Sequence, residues 1–205
     1  MSLAVGVLIA YLIGSISFAV LVSRAFGLPD PRTYGSGNPG ATNVLRSGRK
    51  AAAALTLAGD TAKGWFAVFL VEQHVTAEPL AAGLAAVAVV AGHMWPVYFR
   101  FVGGKGVSTA LGALLALDLW LAAGTVATWL VIAFFFRYSS LAALVAAAFA
   151  AFFSFFLHGM GRFALEPAFG VAAIAILLVW RHAGNIRNLL AGTEGKLGSS
   201  RTGQG

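Results

Sequence analysis

Long apolar runs, each closed by a short basic or glycine-rich stretch, set the pattern of the chain. Residues 3–23 contain no charged side chain. As a helix this run reaches about 31 Å, enough to cross a ~30 Å hydrocarbon core. No Lys or Arg precedes it and it leads into a polar loop, so it reads as a retained helix and not as a cleaved leader. Apolar segments at 51–71, 80–92, 106–117, 119–136, 141–157 and 167–180 predict six more helices. Two of these, 80–92 and 106–117, are only ~18–20 Å long and cannot span a bilayer unaided. They are adjacent and joined by glycines. That points either to a thinned, water-accessible pocket or to ordinary helices that extend into polar residues. The expected fold is all-α: a polytopic membrane protein of about seven transmembrane helices, two of them short. It forms a single domain over 1–197, with 198–205 a flexible Gly/Ser tail.

Composition narrows the picture. The 205 residues are 59% apolar and only 10% charged, against about 25% charged in a soluble domain. A soluble enzyme of this length has too few charges to cover its surface, and disorder requires low hydrophobicity. The absence of cysteine removes disulfides, thiolate catalysis and Cys-based metal sites. With no H-E-x-x-H and no carboxylate cluster on the basic side, neither metal nor cofactor is expected.

Charge sets the orientation. Arg24, Arg32, Arg46, Arg49, Lys50, Arg100, Lys105, Arg137, Arg181, Arg187, Lys196 and Arg201 fall on one side of a seven-helix arrangement, and only Arg162 on the other. By the positive-inside rule the C-terminus and the basic loops are cytoplasmic and the N-terminus is outside.

Topology alone needs only scattered cations, yet these are interleaved with Gly, Ser, Asn and His in three clusters. The first spans 34–46 and contains a G-x-G-x-x-G at Gly35, Gly37 and Gly40. A dinucleotide fold would need a preceding strand, and an apolar helix stands there instead. Glycines still let backbone N–H groups approach an anion. Ser36, Asn38, Thr42 and Asn43 add polar groups, and Arg46 adds a planar fork suited to phosphate. The second cluster places Gly103, Gly104 and Gly106 around Lys105 just before a helix. Gly106 stands where a Walker loop needs Ser or Thr, so the nucleotide signature fails; a helix N-terminus beside a cation remains an anion site. The third cluster closes the last apolar helix with Arg181, His182 and Asn185, the last two sharing a helical face. Glu194 is expected to pair with a nearby Arg in a structural role. Asp60 and Lys63, three apart inside the second apolar segment, form either a self-compensating pair or a support beneath the loops. Ser139 and Ser140 open a helix, where capping is the default and pocket lining the alternative. Two anion loops beside an apolar bundle suggest a substrate both phosphorylated and lipidic.

These motifs carry a resemblance. Gly35-Ser36-Gly37-Asn38-Pro39-Gly40-Ala41-Thr42-Asn43, then Gly92-His93 with Pro96 and Gly103-Gly104-Lys105-Gly106-Val107, then Arg181-His182 with Asn185-Ile186, Gly192 and Glu194 resemble the three motifs of the bacterial acyl-phosphate:glycerol-3-phosphate acyltransferases. Two positions depart from the family pattern: Asn188 stands where Arg is frequent, and Ser108 where Ala is. The resemblance implies a seven-helix protein of the bacterial inner membrane with its site facing the cytoplasm. It implies transfer of a fatty acyl group from acyl phosphate to the 1-hydroxyl of glycerol 3-phosphate, giving lysophosphatidic acid and phosphate.

On that reading Ser36, the backbone of 37–40, Arg46 and Lys105 bind phosphate and absorb charge. Gly35, Gly103, Gly104, Gly106 and Ser140 line the site. Asn43, His182 and Asn185 orient glycerol 3-phosphate, and the hydroxyl proton passes to His182 or to a substrate phosphate oxygen. The implied partners are glycerol 3-phosphate, acyl phosphate, bilayer lipid and the peripheral enzyme that makes acyl phosphate, with no nucleic acid. Acyl-CoA and acyl carrier protein are not expected as donors: none of the four His is followed five residues on by Asp, as the H-x-x-x-x-D motif of the thioester-dependent enzymes requires. The competing class is a transporter for a phosphorylated small molecule, which short, glycine-interrupted helices would suit. Against it, the polar signal is one-sided and no inverted repeat is visible.

Overall fold

Every predicted apolar segment is helical, and what varies is how each one ends. The computed structural model describes residues 2–75 and 77–198; Arg201 and the tail from 199 onward lie outside the described residues. Among these residues there are ten α-helices and no strand. They are α1 (Leu3–Gly14), α2 (Phe18–Ala25), α3 (Ala41–Leu45), α4 (Lys50–His74), α5 (Pro79–Met94), α6 (Val107–Leu117), α7 (Leu119–Phe136), α8 (Ser139–Gly159), α9 (Leu165–Arg181) and α10 (Ala183–Leu190).

Five stretches are long and apolar enough to cross a membrane: Leu3–Ala25, Lys50–His74, Pro79–Phe99, Leu119–Phe136 and Ser139–Gly159. A sixth follows if α9 and α10, bent by 59° at their junction, count as one. The expectation of two short helices is corrected for one of them. Pro79, pre-set for the first helical turn, starts α5 early, and a single 3-10 turn at Val97–Phe99 extends it. Of the two segments expected to be short, only α6, with 11 residues, is so.

The first segment also departs from the single helix expected. It breaks at Ser15, Ile16 and Ser17; the Ser17 hydroxyl accepts from Val20 N–H to restart the chain as α2. The carbonyl freed at Ile16 is taken by Lys63 Nζ of α4, so a buried ammonium stands in for the missing helical donor.

Small residues let the helices approach closely. A Cβ at Gly14 would meet Val89 O, and one at Gly92 would meet Tyr11 O, so α1 and α5 cross backbone to backbone. The same holds for α4 and α6, where Gly64 faces Thr109 O and Gly112 faces Thr61 O. Val68, Val71, Val89, Val90 and Met94, all without exposure, fill the centre with alanines between them. A second core of Leu114, Leu121, Leu157 and Val171 joins α6 to α7, α8 and α9. Phe134, Phe135, Phe152, Phe169 and Ile176 point outward, as an apolar bundle facing lipid requires.

Helix direction brings four polar stretches to one end of the bundle. These are the segment around α3, the glycines before α6, the α7–α8 junction, and α10 with the residues after it. Arg181 reaches Gly103 and Gly104, Thr42 reaches Ser139, and Ser140 reaches Glu194.

Candidate active site

The first glycine loop is built around Asn43, which is 2% exposed. Its Oδ1 accepts from Ser36 N–H at 3.0 Å, and its Nδ2 donates to Pro31 O at 2.7 Å and to Tyr34 O at 3.1 Å. Both amide donors are thus used on the loop's own backbone. This corrects the substrate-orienting role expected for Asn43: it positions the loop. Gly35, at φ 61°, sits so close to Asn43 Oδ1 that a side chain would collide with it.

The expected backbone cradle is corrected as well. Gly37 N–H donates to Tyr34 O and Gly40 N–H to Asn38 O, both at 2.9 Å; tight turns consume the donors that an anion would need. What the loop offers outward is the exposed side chains of Ser36, Thr42 and Arg46. Thr42 Oγ1 lies 3.4 Å from Ser139 Oγ, which ties this loop to α8.

The second loop is clamped from both sides. Gly104 N–H donates to His93 O at 3.1 Å, and a Cβ at Gly104 would strike the His93 ring and lie 2.9 Å from Pro39 O. From α9, Arg181 Nη2 donates to Gly103 O at 2.8 Å and Gly104 O at 3.0 Å. Gly106 takes φ 86° to turn the chain into α6, whose first turn has no side-chain cap. Lys105, held by these contacts, is half-buried and donates from Nζ to Asn185 Oδ1 at 2.5 Å. Burial holds its ammonium below the usual lysine range; the neighbouring Arg181 and Arg46 push the same way, and Glu194 opposes them.

Glu194 does not pair with an Arg, as the sequence suggested. Its Oε1 accepts from Ser140 Oγ at 2.5 Å and from Asn185 Nδ2 at 2.7 Å. Ser140 is thus turned to Glu194 and does not cap α8. Asn185 bridges Lys105 to Glu194 and is occupied at both ends. His182, 2% exposed, directs Nδ1 at Leu178 O, 2.7 Å away. A carbonyl can only accept, so Nδ1 carries the proton and the neutral ring keeps its lone pair on Nε2.

Beneath the loops lies a buried polar cluster. Lys63 Nζ is 2.9 Å from Asp60 Oδ1 and 3.0 Å from His93 Nδ1, and it also donates to Ile16 O. The Ile16 and His93 contacts are hydrogen bonds, whereas the Asp60 contact is an ion pair outside hydrogen-bond geometry. Thr109 Oγ1 adds a contact to His93 Nδ1 at 3.1 Å. Asp60 and Lys63 thus support the loops through His93, whose ring carries Gly104. His93, Thr109 and Arg181 are positioning residues that the sequence reading left unassigned. The signal for Arg181 was its place directly before His182; nothing local marked Thr109. Among the described residues no group of three or more His, Asp or Glu is placed to hold a metal.

The assembled site sets Lys105, Arg46 and Arg181 against the one carboxylate of Glu194. Among the described residues the guanidinium of Arg181 donates to neutral carbonyls, Gly103 O and Gly104 O. Two positive charges in excess, with Lys105 and Arg181 partly buried and Arg46 exposed, match a phosphate dianion.

The glycerol-3-phosphate acyltransferase family profile matches residues 4–192. A Burkholderia lata protein of that name is 58% identical over 202 residues, covering 98% of this chain and 93% of its own. One from Burkholderia pseudomallei is 56% identical over 202 residues, with 98% of each chain covered. Among solved structures, PlsY (YgiH), described as an integral membrane glycerol 3-phosphate acyltransferase, superposes in its glycerol 3-phosphate form with a TM-score of 0.87, 36% identity and 96% of both chains covered. Its lysophosphatidic acid form gives a TM-score of 0.86 at 35% identity, covering 96% of this chain and 95% of that one. With its three clusters converging on one cationic site and residues 4–192 matched by the family profile, this chain belongs to the glycerol-3-phosphate acyltransferase family.

Proposed function

We propose that this integral membrane enzyme transfers a fatty acyl group from acyl phosphate to the 1-hydroxyl of glycerol 3-phosphate. The products are lysophosphatidic acid and inorganic phosphate. The observation that carries this reading is the excess of two positive charges where Lys105, Arg46 and Arg181 face Glu194. The solved relative's glycerol 3-phosphate and lysophosphatidic acid forms support it. The protein acts as a single domain over 1–197 in the bacterial inner membrane, with this end of the bundle in the cytoplasm; the one-sided distribution of Arg and Lys supports that orientation.

The chemistry needs little beyond positioning and charge. The hydroxyl oxygen attacks the acyl carbonyl, forming the ester C–O bond, and the bond from carbonyl carbon to phosphate oxygen breaks. Phosphate leaves with the bonding pair and takes up the hydroxyl proton. Lys105 and Arg46 neutralise the charge that gathers on the departing phosphate, and Ser36 donates to it. His182 Nε2 accepts a hydrogen bond from the substrate and holds the glycerol backbone for attack. Asn185 fixes Lys105, while Asn43, Gly35, Gly37, Asn38, Gly40 and Thr42 shape one wall and Gly103, Gly104 and Gly106 the other. No step calls for a cofactor or metal.

The donor follows from the same charges. A thioester puts no phosphate at the scissile carbonyl and would leave these cations without a partner, which is costly. Purified protein, free of any acyl-phosphate-forming enzyme, is therefore expected to turn over palmitoyl phosphate and to leave palmitoyl-CoA and palmitoyl acyl carrier protein unused. Comparable rates with a thioester would refute the donor assignment.

A further inference from the structure

The segment after α10 has no secondary structure of its own, yet it delivers Glu194 to Asn185 and Ser140. On its N-terminal side it is tied to α10 by Thr193 N–H donating to Asn188 O at 2.8 Å. On its C-terminal side the anchor is Arg137, at the α7–α8 junction. Leu197 N–H donates to Arg137 O at 2.6 Å, and Arg137 Nη2 donates back to Leu197 O at 3.0 Å. Next to this two-way clamp, Lys196 Nζ lies 5.8 Å from the centre of the Tyr138 ring, within cation–π range. Arg137 adopts φ 61°, a left-handed conformation unusual for a residue with a side chain. That conformation closes α7, with Arg137 N–H bonding Ala133 O, while the Arg137 carbonyl accepts from Leu197.

Only Gly195 and Lys196 separate the clamp from Glu194. Three Cα–Cα steps span at most about 11 Å, so releasing Leu197 frees the carboxylate to leave Asn185. Asn185 would then lose the acceptor that orients its amide, and with it the hold on Lys105.

We infer that Arg137 is a positioning residue for the acyl-transfer site, acting through its two-bond clamp on Leu197 to hold Glu194 against Asn185 and Lys105. The inference rests on reading Lys105 and Asn185 as part of the glycerol 3-phosphate site. It concerns a residue outside all three glycine–cation clusters, 57 positions before Glu194 in the chain.

The test is steady-state kinetics on purified full-length protein with palmitoyl phosphate as donor, alongside thermal melting. Arg137→Met is expected to raise KM for glycerol 3-phosphate about fivefold, with kcat within about twofold of wild type and an unchanged melting temperature. Arg137→Lys keeps a donor for Leu197 O and should recover most of the loss. Leu197→Pro removes the opposing N–H without touching a helix, and should reproduce the Arg137→Met effect. Each variant removes one of the two bonds, and the clamp holds only with both, so the double variant should be no worse than either single one. Unchanged KM in both single variants, or effects that multiply in the double, would overturn the inference. If Arg137→Met does not fold, Leu197→Pro decides alone. Absence of glycerol 3-phosphate-dependent phosphate release from the wild type would instead remove the site reading on which the inference stands.

Discussion

Replacing Lys105 with Met removes one ammonium while keeping most of the stem volume. In the structure that ammonium makes a charge-assisted hydrogen bond to Asn185 Oδ1 at 2.5 Å and shares its surroundings with Arg46, Arg181 and Glu194. Hydrogen bonds to charged groups are worth about 1.5–3 kcal/mol. If that contact is made to phosphate in the transition state, kcat/KM should fall roughly ten- to a hundredfold at about 1.4 kcal/mol per decade. Folding should suffer less, because the lost bond to Asn185 is offset by no longer desolvating a charge.

The pH dependence gives the sign. Burial lowers the Lys105 pKa, so the protonated, anion-binding form is lost as pH rises through that lowered value, and activity falls on the alkaline side. Stability runs the other way: across the same window the unfolded chain holds more protons than the folded one, so unfolding free energy rises with pH. Lys105→Arg, charged throughout, should move the alkaline limb outward.

The assay is phosphate release from palmitoyl phosphate, dependent on glycerol 3-phosphate and followed against pH, with melting temperature as control. A Met variant within threefold of wild type in kcat/KM and equally stable would refute the reasoning.

Three further outcomes are expected. His182→Asn should raise KM for glycerol 3-phosphate far more than it lowers kcat; a loss of about 10²-fold or more in kcat with KM unchanged would make His182 the general base instead. Asn43→Ala removes three hydrogen bonds of about 1 kcal/mol each from the first loop and should cost at least about tenfold in kcat/KM. Asn43→Asp, which turns a carboxylate on two carbonyl oxygens, should be worse, and the opposite order would refute the loop-holding role. Single cysteines at Arg187 and Met160 should react with impermeant reagent from opposite faces of sealed vesicles, Arg187 from the cytoplasmic face; labelling of both from one face would refute the orientation.

Hydropathy and composition determined much of this protein without its structure. Seven apolar runs became helices because burial in lipid is a local demand on consecutive residues. The three glycine–cation clusters were visible because glycine and cations are out of place at the ends of apolar helices unless something binds there. The sequence could not decide which polar atoms remain available, since that depends on partners far along the chain. Lys63 meets Ile16 across 47 positions, Ser140 meets Glu194 across 54, and Lys105 meets Asn185 across 80. Asn43 looked like a substrate ligand until its amide was found spent on Pro31 and Tyr34, and Glu194 looked like a partner for Arg until Ser140 and Asn185 reached it first. The break at Ile16 was equally hidden, because an apolar run carries no mark of where a lysine from another helix will take its carbonyl. A residue's type fixes how many hydrogen bonds it must make, and only tertiary packing fixes with whom.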